Sequence, residues 1–450
     1  MLTAHDSSHH TVRIPDTQKP RIVVIGGGFG GLELIKGLHK VECQLVLFDK
    51  NNFHTFQPLL YQVATSGLET SAIVYPFRKR FENLKDFYFR MGKVAYIDPS
   101  AQMIYTSIGS LHYDYLVLAT GTTTNFYGME DIARHAIPMK SIQDAIALRN
   151  RIIRGFEQAL LTDDFERMNS YMDFVIVGGG PTGVEVAGAL AELKKHVFPH
   201  DYKELDLREM DIHLVERSDR LLNGMAEVSG RKAQQFLEKL GVKVHLGQSV
   251  KSYDGYRVVL GDGTEMISQH LIWAAGVTGA PIPGLPSDSL TRGNRYQVDA
   301  FNRVKGFENI FAIGDIAAMI TEETPNGHPQ VAPPAMQQAA HLAKNFRLWF
   351  RQKPPRPFKY FDKGSMATIG RNKAVVEIGK FRMQGILAWF VWMFVHLMAI
   401  VGFRNRIFVF WSWVWSYLSY DKSNRLIIER NEGAGFLSPE SDASPERVSG

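Results

Sequence analysis

A chain of 450 residues, 45% of them hydrophobic, is long enough for two or three domains with a large apolar core. The formal net charge is +5, and the single cysteine, Cys43, excludes an internal disulfide, a CxxC redox pair and a cysteine metal cage. We therefore expect a reducing compartment, with Cys43 buried in a strand.

The chain begins with a polar segment and then the first of two glycine-rich turns. Residues 1–20 have no apolar segment typical of a secretion signal and are expected to form a disordered tail. In segment 21–34 (RIVVIGGGFGGLEL) a strand pattern runs into Gly26, Gly28 and Gly31 and then into a helix. This pattern predicts a turn whose backbone N–H groups bind a dinucleotide pyrophosphate at the helix N-terminus.

The segments that follow complete this first nucleotide-binding unit. A second strand, 44–48, ends in Asp49, whose carboxylate could accept hydrogen bonds from ribose hydroxyls or could belong to an ordinary strand-end turn. Segment 51–68 has no clean period and is expected to be a loop and short helix near the cofactor, or only a long connector. Runs 116–121 (LVLATG) and 271–276 (LIWAAG) predict buried strands after which the chain crosses between units; plain strands before turns are the alternative.

The same turn occurs again in segment 174–193, with glycines at Gly178, Gly180 and Gly183. Its second strand, 211–215, ends in Glu216, which would bond a ribose 2′-hydroxyl and repel a 2′-phosphate. This favours NADH over NADPH, although the following Arg217 weakens the inference. Two such turns imply two dinucleotides and electrons passing between them.

Three later features could belong to the reacting centre. Glu185 is predicted on the first turn of the helix after Gly183, either to complement the helix N-terminal charge or to face a nicotinamide. Segment 307–315 predicts a strand ending in Gly314-Asp315, where an Asp can bond a flavin ribityl chain. A helix beginning at the prolines 333–334 carries Gln337 and Gln338, which are either a surface for a flat ring or a solvated pair.

The C-terminal region is predicted to contact a membrane. Segment 344–382 has eleven Lys or Arg against two acids, which suits an anionic lipid surface better than nucleic acid. Residues 385–403 carry no formal charge, and 407–420 are rich in aromatics. Scattered Trp and Tyr favour lying on the bilayer over a spanning hairpin, with a soluble dimer core as the third alternative. Residues 429–450 are polar and expected to be disordered.

Taken together, the motifs resemble those of type II NADH dehydrogenases, the single-subunit NADH:quinone oxidoreductases that do not pump protons. The resemblance covers residues 21–430 and is most specific in FQPLLYQVAT, DKGSMATIGR and the aromatic C-terminal segment. It implies an α/β flavoprotein with two Rossmann-like domains, the FAD-binding one at 21–140 and 277–345 and the NADH-binding one at 141–276. A membrane-association region would follow at 346–430 and a tail at 431–450, in an enzyme on the cytoplasmic face of the cell membrane, either monomeric or homodimeric.

The resemblance also implies roles for particular residues, with no metal. The residues that would hold FAD are Gly26, Gly28, Gly31, Asp49, Ala119, Thr120, Gly121 and Asp315. The residues that would hold NADH are Gly178, Gly180, Gly183 and Glu216, and Glu185 would lie near the nicotinamide. Further cofactor contacts would come from Gly30, Lys50, Gly276 and Gly314. The family motif AQxAxQ at the flavin and quinone site aligns with 332–337 (APPAMQ), so Pro333 replaces the first glutamine, while Gln337 and Gln338 remain. Lys363 falls where the family has a lysine near the quinone, or is one more basic group for lipid.

A mechanism follows from this resemblance. A hydride would pass from NADH to FAD, and the quinone would take two electrons and two protons by way of Glu185, Lys363 and water. Three other classes stay open: a flavoenzyme of the same fold with a different acceptor, a signalling flavoprotein without an acceptor site, and a structural membrane protein with vestigial nucleotide folds. Disulfide or sulfide chemistry would need a cysteine pair, which Cys43 alone cannot supply.

Overall fold

Two five-stranded parallel sheets organise this computed structural model, which describes residues 10–419, 422 and 424–428. In spatial order the first sheet contains Ile310–Ala312, Tyr115–Leu118, Arg21–Ile25, Gln44–Asp49 and Phe87–Met91. The second contains Ile137–Pro138, His270–Trp273, Phe174–Val177, Ile212–Glu216 and Lys243–Leu246. Their central strands, Arg21–Ile25 and Phe174–Val177, are apolar and buried apart from Arg21 at the first strand's start, because helices cover both faces of a parallel sheet. The prediction of two Rossmann-like units is confirmed.

Helices cover these sheets and form the C-terminal end of the described chain. The α-helices are Phe29–Leu38, Leu60–Ala64, Phe77–Arg80, Glu130–His135, Ile142–Ala159, Phe165–Met172, Pro181–His196, Phe198–Asp201, Glu227–Lys239, Ala332–Trp349, Ile386–Ala399 and Phe403–Ser419. Short 3-10 helices lie at Gln57–Leu59, Thr70–Ala72, Ser287–Ser289 and Gly314–Ile316.

Small sheets, all but one of them antiparallel, complete each unit. Two three-stranded meanders are Val94–Asp98, Met103–Thr106 and Gly109–His112, and Val250–Tyr253, Arg257–Leu260 and Glu265–Ile267. The short pairs are Phe53–Thr55 with Val74–Pro76 and, in parallel, Tyr296–Val298 with Ala317–Met319.

The two crossings between the units lie side by side. Strand Thr122–Thr124, directly after Gly121, pairs antiparallel with Val277–Gly279, directly after Gly276. The chain therefore leaves the first unit and returns to it at adjacent positions, as the runs LVLATG and LIWAAG predict.

The helix Ala332–Trp349 belongs to the first unit along its whole length. Its Ala343 lies so close to Gly37 that a Cβ on the glycine would come within 2.6 Å, and Phe346 is buried against Phe311. The apolar contacts of this unit therefore continue beyond residue 345, where sequence reasoning placed the start of the membrane-association region.

The first residues of the described chain are ordered, which corrects part of the predicted tail. Val12 is buried, and its N–H donates to the carbonyl of Ser110 at 2.9 Å. Residues 10–14 therefore extend the meander of the first unit, because an apolar residue on an open strand edge gains both burial and backbone bonds. Residues 1–9 and 429–450, and Tyr420, lie outside the described residues.

A third sheet joins the C-terminal region to the second unit. Its strands are Ser365–Thr368, Ala374–Ile378 and Phe381–Gln384. The carboxylate of Glu377 accepts hydrogen bonds from the Ala226 N–H at 2.9 Å and the Ser229 hydroxyl at 2.5 Å, at the N-terminus of helix Glu227–Lys239. A carboxylate at this end of a helix complements its partial positive charge. The sheet is thus held on the second unit.

The long apolar segment after this sheet forms two helices, Ile386–Ala399 and Phe403–Ser419. The turn between them contains Gly402 at φ +90°, against the Tyr75 ring. Neither these helices nor any other in the described part of the chain combines the length and apolar character needed to cross a membrane.

Candidate active site

The first glycine turn has the geometry of a phosphate cradle. Gly26 adopts φ +103°, its N–H donates to Phe48 at 2.8 Å, and a Cβ here would lie 2.3 Å from the carbonyl oxygen of Ala119. A Cβ on Gly31 would lie 1.9 Å from the Gly26 oxygen, so both positions require glycine. Gly28, in contrast, faces open space at the helix N-terminus, where a ligand can approach the backbone.

The second turn repeats this geometry closely. Gly178 adopts φ +110°, its N–H donates to Val215 at 2.8 Å, and a Cβ here would lie 2.6 Å from the oxygen of Ala274. A Cβ on Gly183 would lie 1.9 Å from the Gly178 oxygen, while Gly180 faces open space. The chain therefore contains two cradles of the same construction.

An acid at the end of the second strand is bonded to each turn. Asp49 accepts from the Gly27 N–H at 2.7 Å, and Glu216 accepts from the Gly179 N–H at 2.5 Å. Burial raises the pKa of Asp49, opposed by the hydrogen bonds from Gly27 and Asn51. Both carboxylates are thus fixed beside the open glycine of their cradle, where the Rossmann pattern places the ribose-binding acid.

Other predicted cofactor residues have different surroundings. Lys50 is exposed, and Gly30 is buried, with the place of its Cβ 3.4 Å from Ile313. The space above Gly276 is taken by Tyr127, whose hydroxyl would be 2.2 Å from a Cβ there. A side chain at position 276 would therefore displace the exposed Tyr127 ring, whereas one at position 28 or 180 would meet no protein atom.

On the predicted flavin side, a buried amide supports a glycine turn. Gly314 adopts φ +73°, and its N–H donates to Oε1 of Gln338 at 2.7 Å. Gln338 is 1% exposed, so its carboxamide fixes the start of the Asp315 segment. Gly121, at φ +68°, again faces open space.

Asp315 lies among polar and cationic groups of the first unit. Burial raises its pKa, while Lys140, Arg295 and a 3.4 Å bond from the Thr122 hydroxyl lower it. Burial in turn lowers the pKa of Lys140. Sequence reasoning missed Lys140 and Thr122, because their proximity to Asp315 arises only where the two crossings meet.

Two orphaned polar atoms test whether the first cradle fits FAD. The Nε2 of His54 and the Oγ1 of Thr120 are buried and have no hydrogen-bond partner among the described residues. The other ring nitrogen of His54 bonds to the oxygen of Gly27, within the cradle itself. Because buried polar groups are normally satisfied, these atoms fit a polar ligand bound here. His54 lies in segment 51–68, which the sequence places near the cofactor without indicating a function for this histidine.

The residues predicted for the quinone site do not form one cluster. Gln337 bonds the backbone of Phe361 through both amide atoms, at 2.8 and 3.0 Å, and so anchors the loop before Lys363. Lys363 is exposed and precedes Gly364, which at φ +92° turns the chain into the strand Ser365–Thr368. Pro333 lies in the first turn of its helix, which begins one residue earlier than predicted, at Ala332.

Glu185 occupies a cavity that the sequence did not reveal. The helix begins at Pro181, so Glu185 is not in its first turn, and complementing the helix N-terminal charge is not its function. The residue is 8% exposed and lies in a cavity of about 140 Å³ whose walls include Tyr61, Thr368 and Trp392. Burial raises the pKa of Glu185 to about 8, opposed by the backbone of Thr368 and the indole of Trp392. The carboxyl is therefore protonated at neutral pH.

A row of aromatic side chains connects this cavity to the first cradle. Trp392 stacks on His396 at 4.1 Å, and His396 contacts Phe56 at 6.3 Å between ring centroids. Phe56 in turn contacts Phe29, which is the residue between Gly28 and Gly30 of the first turn. The first unit, the second unit and the C-terminal helices thus meet around Glu185, which no single motif indicated.

Two family models match successive parts of the chain. The pyridine nucleotide-disulphide oxidoreductase model matches residues 20–339, and the NDH2 C-terminal domain model matches residues 363–419. A type II NADH:quinone oxidoreductase, Ndh, of Mycobacterium tuberculosis is 35% identical over 92% of this chain and 92% of its own length. The chain belongs to the type II NADH:quinone oxidoreductases. A member from Haemophilus influenzae is 28% identical over 84% of this chain and 92% of its own.

Solved structures show the same fold. NDH2 of Plasmodium falciparum, solved in complex with NADH, superposes with a TM-score of 0.84 at 19% identity, covering 92% of this chain and all of its own. The sulfide:quinone oxidoreductase of Aquifex aeolicus superposes with a TM-score of 0.68 at 18% identity, covering 88% of this chain and 95% of its own. The family resemblance and fold class inferred from sequence are confirmed.

The two open glycines allow each cradle of this oxidoreductase to be tested separately. Gly28 and Gly180 have φ of −68° and −72°, which alanine adopts without strain, so the added methyl groups intrude only into ligand space. We expect Gly28→Ala to lower the flavin content of the purified protein, measured by absorbance. We expect Gly180→Ala to keep the flavin and raise KM for NADH by roughly tenfold or more, since a lost or displaced phosphate contact weakens binding by at least ~1.4 kcal/mol. Unchanged flavin content in the first variant and unchanged KM in the second would contradict these assignments.

Proposed function

We propose that this oxidoreductase holds FAD in the first cradle and NADH in the second, and reduces a quinone in the cavity beside Glu185. Bound FAD supplies the hydride-accepting and electron-donating chemistry. The observation that carries the proposal is the pair of matched cradles in one chain: aromatic side chains connect the first to the cavity of Glu185, and Glu185 lies on the helix that follows the second. The protein groups hold and orient the cofactors: Asp49 bonds a ribose hydroxyl of FAD, and Glu216 bonds the ribose 2′-hydroxyl of NADH, which favours NADH over NADPH.

The cavity suits a flat, apolar substrate that must receive protons. Three tryptophans, Trp389, Trp392 and Trp413, line it beside the single protonated carboxyl of Glu185. Apolar walls with few polar groups are typical of small-molecule sites, and an acid with a pKa near the working pH is suited to proton donation. Glu185 therefore donates a proton to the reduced quinone oxygen and must recover it from water.

Disulfide or sulfide oxidation is not supported, although such enzymes share the fold. Cys43 is buried in the core of the first unit, and burial raises its pKa to about 12. A thiol that stays protonated and inaccessible cannot act as a nucleophile.

Membrane attachment is assigned to the two C-terminal helices. They expose large apolar side chains to solvent, which monomeric soluble proteins rarely do over such an area; these include Leu387, Phe390, Phe394, Phe403, Trp411, Trp415 and Leu418. Basic residues exposed nearby in sequence are Arg351, Lys353, Arg356, Lys359, Lys380 and Arg382. We propose that this face lies on an anionic membrane, at its cytoplasmic side where NADH is available. Lys363 adds to this basic surface. A homodimer that buries the same face is the competing arrangement.

Replacing Glu185 separates its chemical function from its structural one. We expect NADH to bleach the flavin of Glu185→Gln at the wild-type rate, and a soluble short-chain quinone to restore the colour roughly a hundredfold more slowly, because the proton donor is lost. In the wild type, quinone reduction should fall as pH rises above about 8, where the acid ionises. Rapid mixing measures both half-reactions. Wild-type reoxidation rates in this variant would exclude Glu185 as the donor.

Melting temperature provides the structural control for the same variant. The folded protein holds the Glu185 proton up to a pKa of about 8, whereas a glutamate in the unfolded chain has an ordinary pKa of 4.5. The folded state binds more protons in this window, so its stability falls as pH rises from about 4.5 to 8. The neutral glutamine avoids this loss, and we expect Glu185→Gln to melt at or above the wild-type temperature at pH 8.

Membrane attachment is tested by substituting the exposed aromatic residues. We expect Phe394→Ser combined with Trp411→Ser to weaken cosedimentation with phosphatidylglycerol-containing vesicles by at least about tenfold, because two large apolar contacts are lost. NADH oxidation with a soluble acceptor should persist. The matched control is Leu161→Ser combined with Phe165→Ser, which removes equally exposed apolar groups from the second unit. A wild-type protein that is dimeric and does not cosediment with vesicles would instead support the homodimer.

A further inference from the structure

Titratable side chains follow Glu185 along one face of its helix. Glu192 and His196 are seven and eleven residues further along Pro181–His196, a spacing that keeps all three on the same side. All three line the cavity that contains Glu185. Exposure of the side chains rises from the buried Glu185 to 14% at Glu192 and 28% at His196. This face of the helix therefore leads from the buried acid towards water.

The outer end of this face is open to solvent. His196 Nε2 lies 3.6 Å from an oxygen of Glu192. His196 also lines a second cavity of about 340 Å³, together with the exposed residues Lys195 and His200. A proton arriving from water at His196 is thus within reach of the Glu192 carboxylate, through at most one water molecule.

The inner gap requires water. Glu185 and Glu192 are roughly 10 Å apart along the helix axis, too far for direct transfer. The residue between them on this face is Ala189, whose small side chain leaves the cavity open. The cavity extends from Glu185 past Ala189 to Glu192 and His196, so water molecules held by these polar groups can occupy its outer part while a quinone lies against Glu185.

Cationic groups surround the middle of this path. Lys422 donates to the Ala189 carbonyl at 3.5 Å, and Glu192 accepts from the backbone N–H of Arg371 at 3.2 Å, so Arg371 lies directly beside it. Burial lowers the pKa of Lys422 to about 8, and burial together with Lys195, Arg371 and Lys422 lowers that of His196, while Glu192 raises it. The Glu192 carboxyl group therefore lies between the His196 imidazole and the cavity, where it can accept a proton from one and pass it to water in the other.

We propose that His196 and Glu192 form the route by which protons from water reach Glu185 during quinone reduction. The inference rests on the proposed function. NADH, one proton and a quinone give NAD⁺ and a quinol, so each turnover takes one net proton from water. Glu185 gives its proton to the quinone oxygen and is reprotonated through the cavity water, Glu192 and His196. These two residues position and deliver the proton and do not touch the quinone.

The test uses Glu192→Gln and His196→Gln in the full-length, flavin-loaded enzyme in detergent, with a soluble short-chain quinone. We expect both variants to bleach with NADH at the wild-type rate and to regain colour roughly tenfold more slowly, increasingly so as pH rises. Uptake of the net proton, followed with an indicator dye in unbuffered solution, should slow equally. Glu192→Asp should recover most of the rate because it restores a carboxylate. Glu238→Gln, an exposed acid on another helix, is the control.

The outcomes separate the route from the function. Wild-type reoxidation and proton uptake in both variants across the pH range would overturn the route alone. The route would also be overturned if Glu192→Asp were reoxidised by quinone as slowly as Glu192→Gln and melted at a lower temperature than the wild type. That pattern indicates that Glu192 acts only structurally, through its hydrogen bond with Arg371. A wild-type enzyme that bleaches with NADH but does not regain colour with quinone would overturn the proposed function, and the route with it.

Discussion

The burial of one carboxyl group, that of Glu185, determines how the parts of this molecule work together. An ionised carboxylate in an apolar cavity is costly, so the side chain keeps its proton and its pKa rises to about 8. The cavity walls that exclude water from this carboxyl come from three parts of the molecule. They are Tyr61 near the first cradle, Thr368 in the sheet of residues 365–384, and Trp392 in the C-terminal helices. The proposed proton donor therefore depends on the assembly of all three. The C-terminal helices that expose apolar side chains also supply part of the cavity wall, so an apolar substrate arriving from a bilayer would meet the acid there.

Nucleotide binding depends on a second constraint, which the chain meets twice in the same way. Close approach of Gly31 to Gly26, and of Gly183 to Gly178, packs each helix tightly on its strand. The helix N-terminus is then held beside an open glycine and a bonded acid, so that a phosphate meets unpaired N–H groups. Because the crossings at Thr122–Thr124 and Val277–Gly279 are paired, the two units also share a fixed hinge region. Electron transfer between two cofactors requires such a shared frame.

The fold was largely predictable from sequence, and the site only in part. Glycine spacing, the strand patterns and the acids Asp49 and Glu216 are local features, and the structure places them as expected. The surroundings of Glu185 were not predictable, because Trp392 lies more than two hundred residues away and no periodicity links them. The sequence suggests that Gln337 and Gln338 act together on one surface, but successive residues on a helix point in different directions. Gln338 supports Gly314, while Gln337 holds the backbone of Phe361. The sequence did not predict the ordered residues 10–14, because this mainly polar segment contains only one residue, Val12, that becomes buried.

The protonation state of Glu185 in the resting enzyme can be observed by infrared difference spectroscopy of the wild type against Glu185→Gln over a range of pH. A protonated carboxyl band that is present at pH 7, is absent from the variant and disappears with a midpoint near pH 8 is the expected result. A carboxylate already ionised at pH 6 would contradict the apolar enclosure on which the proposed proton donation depends.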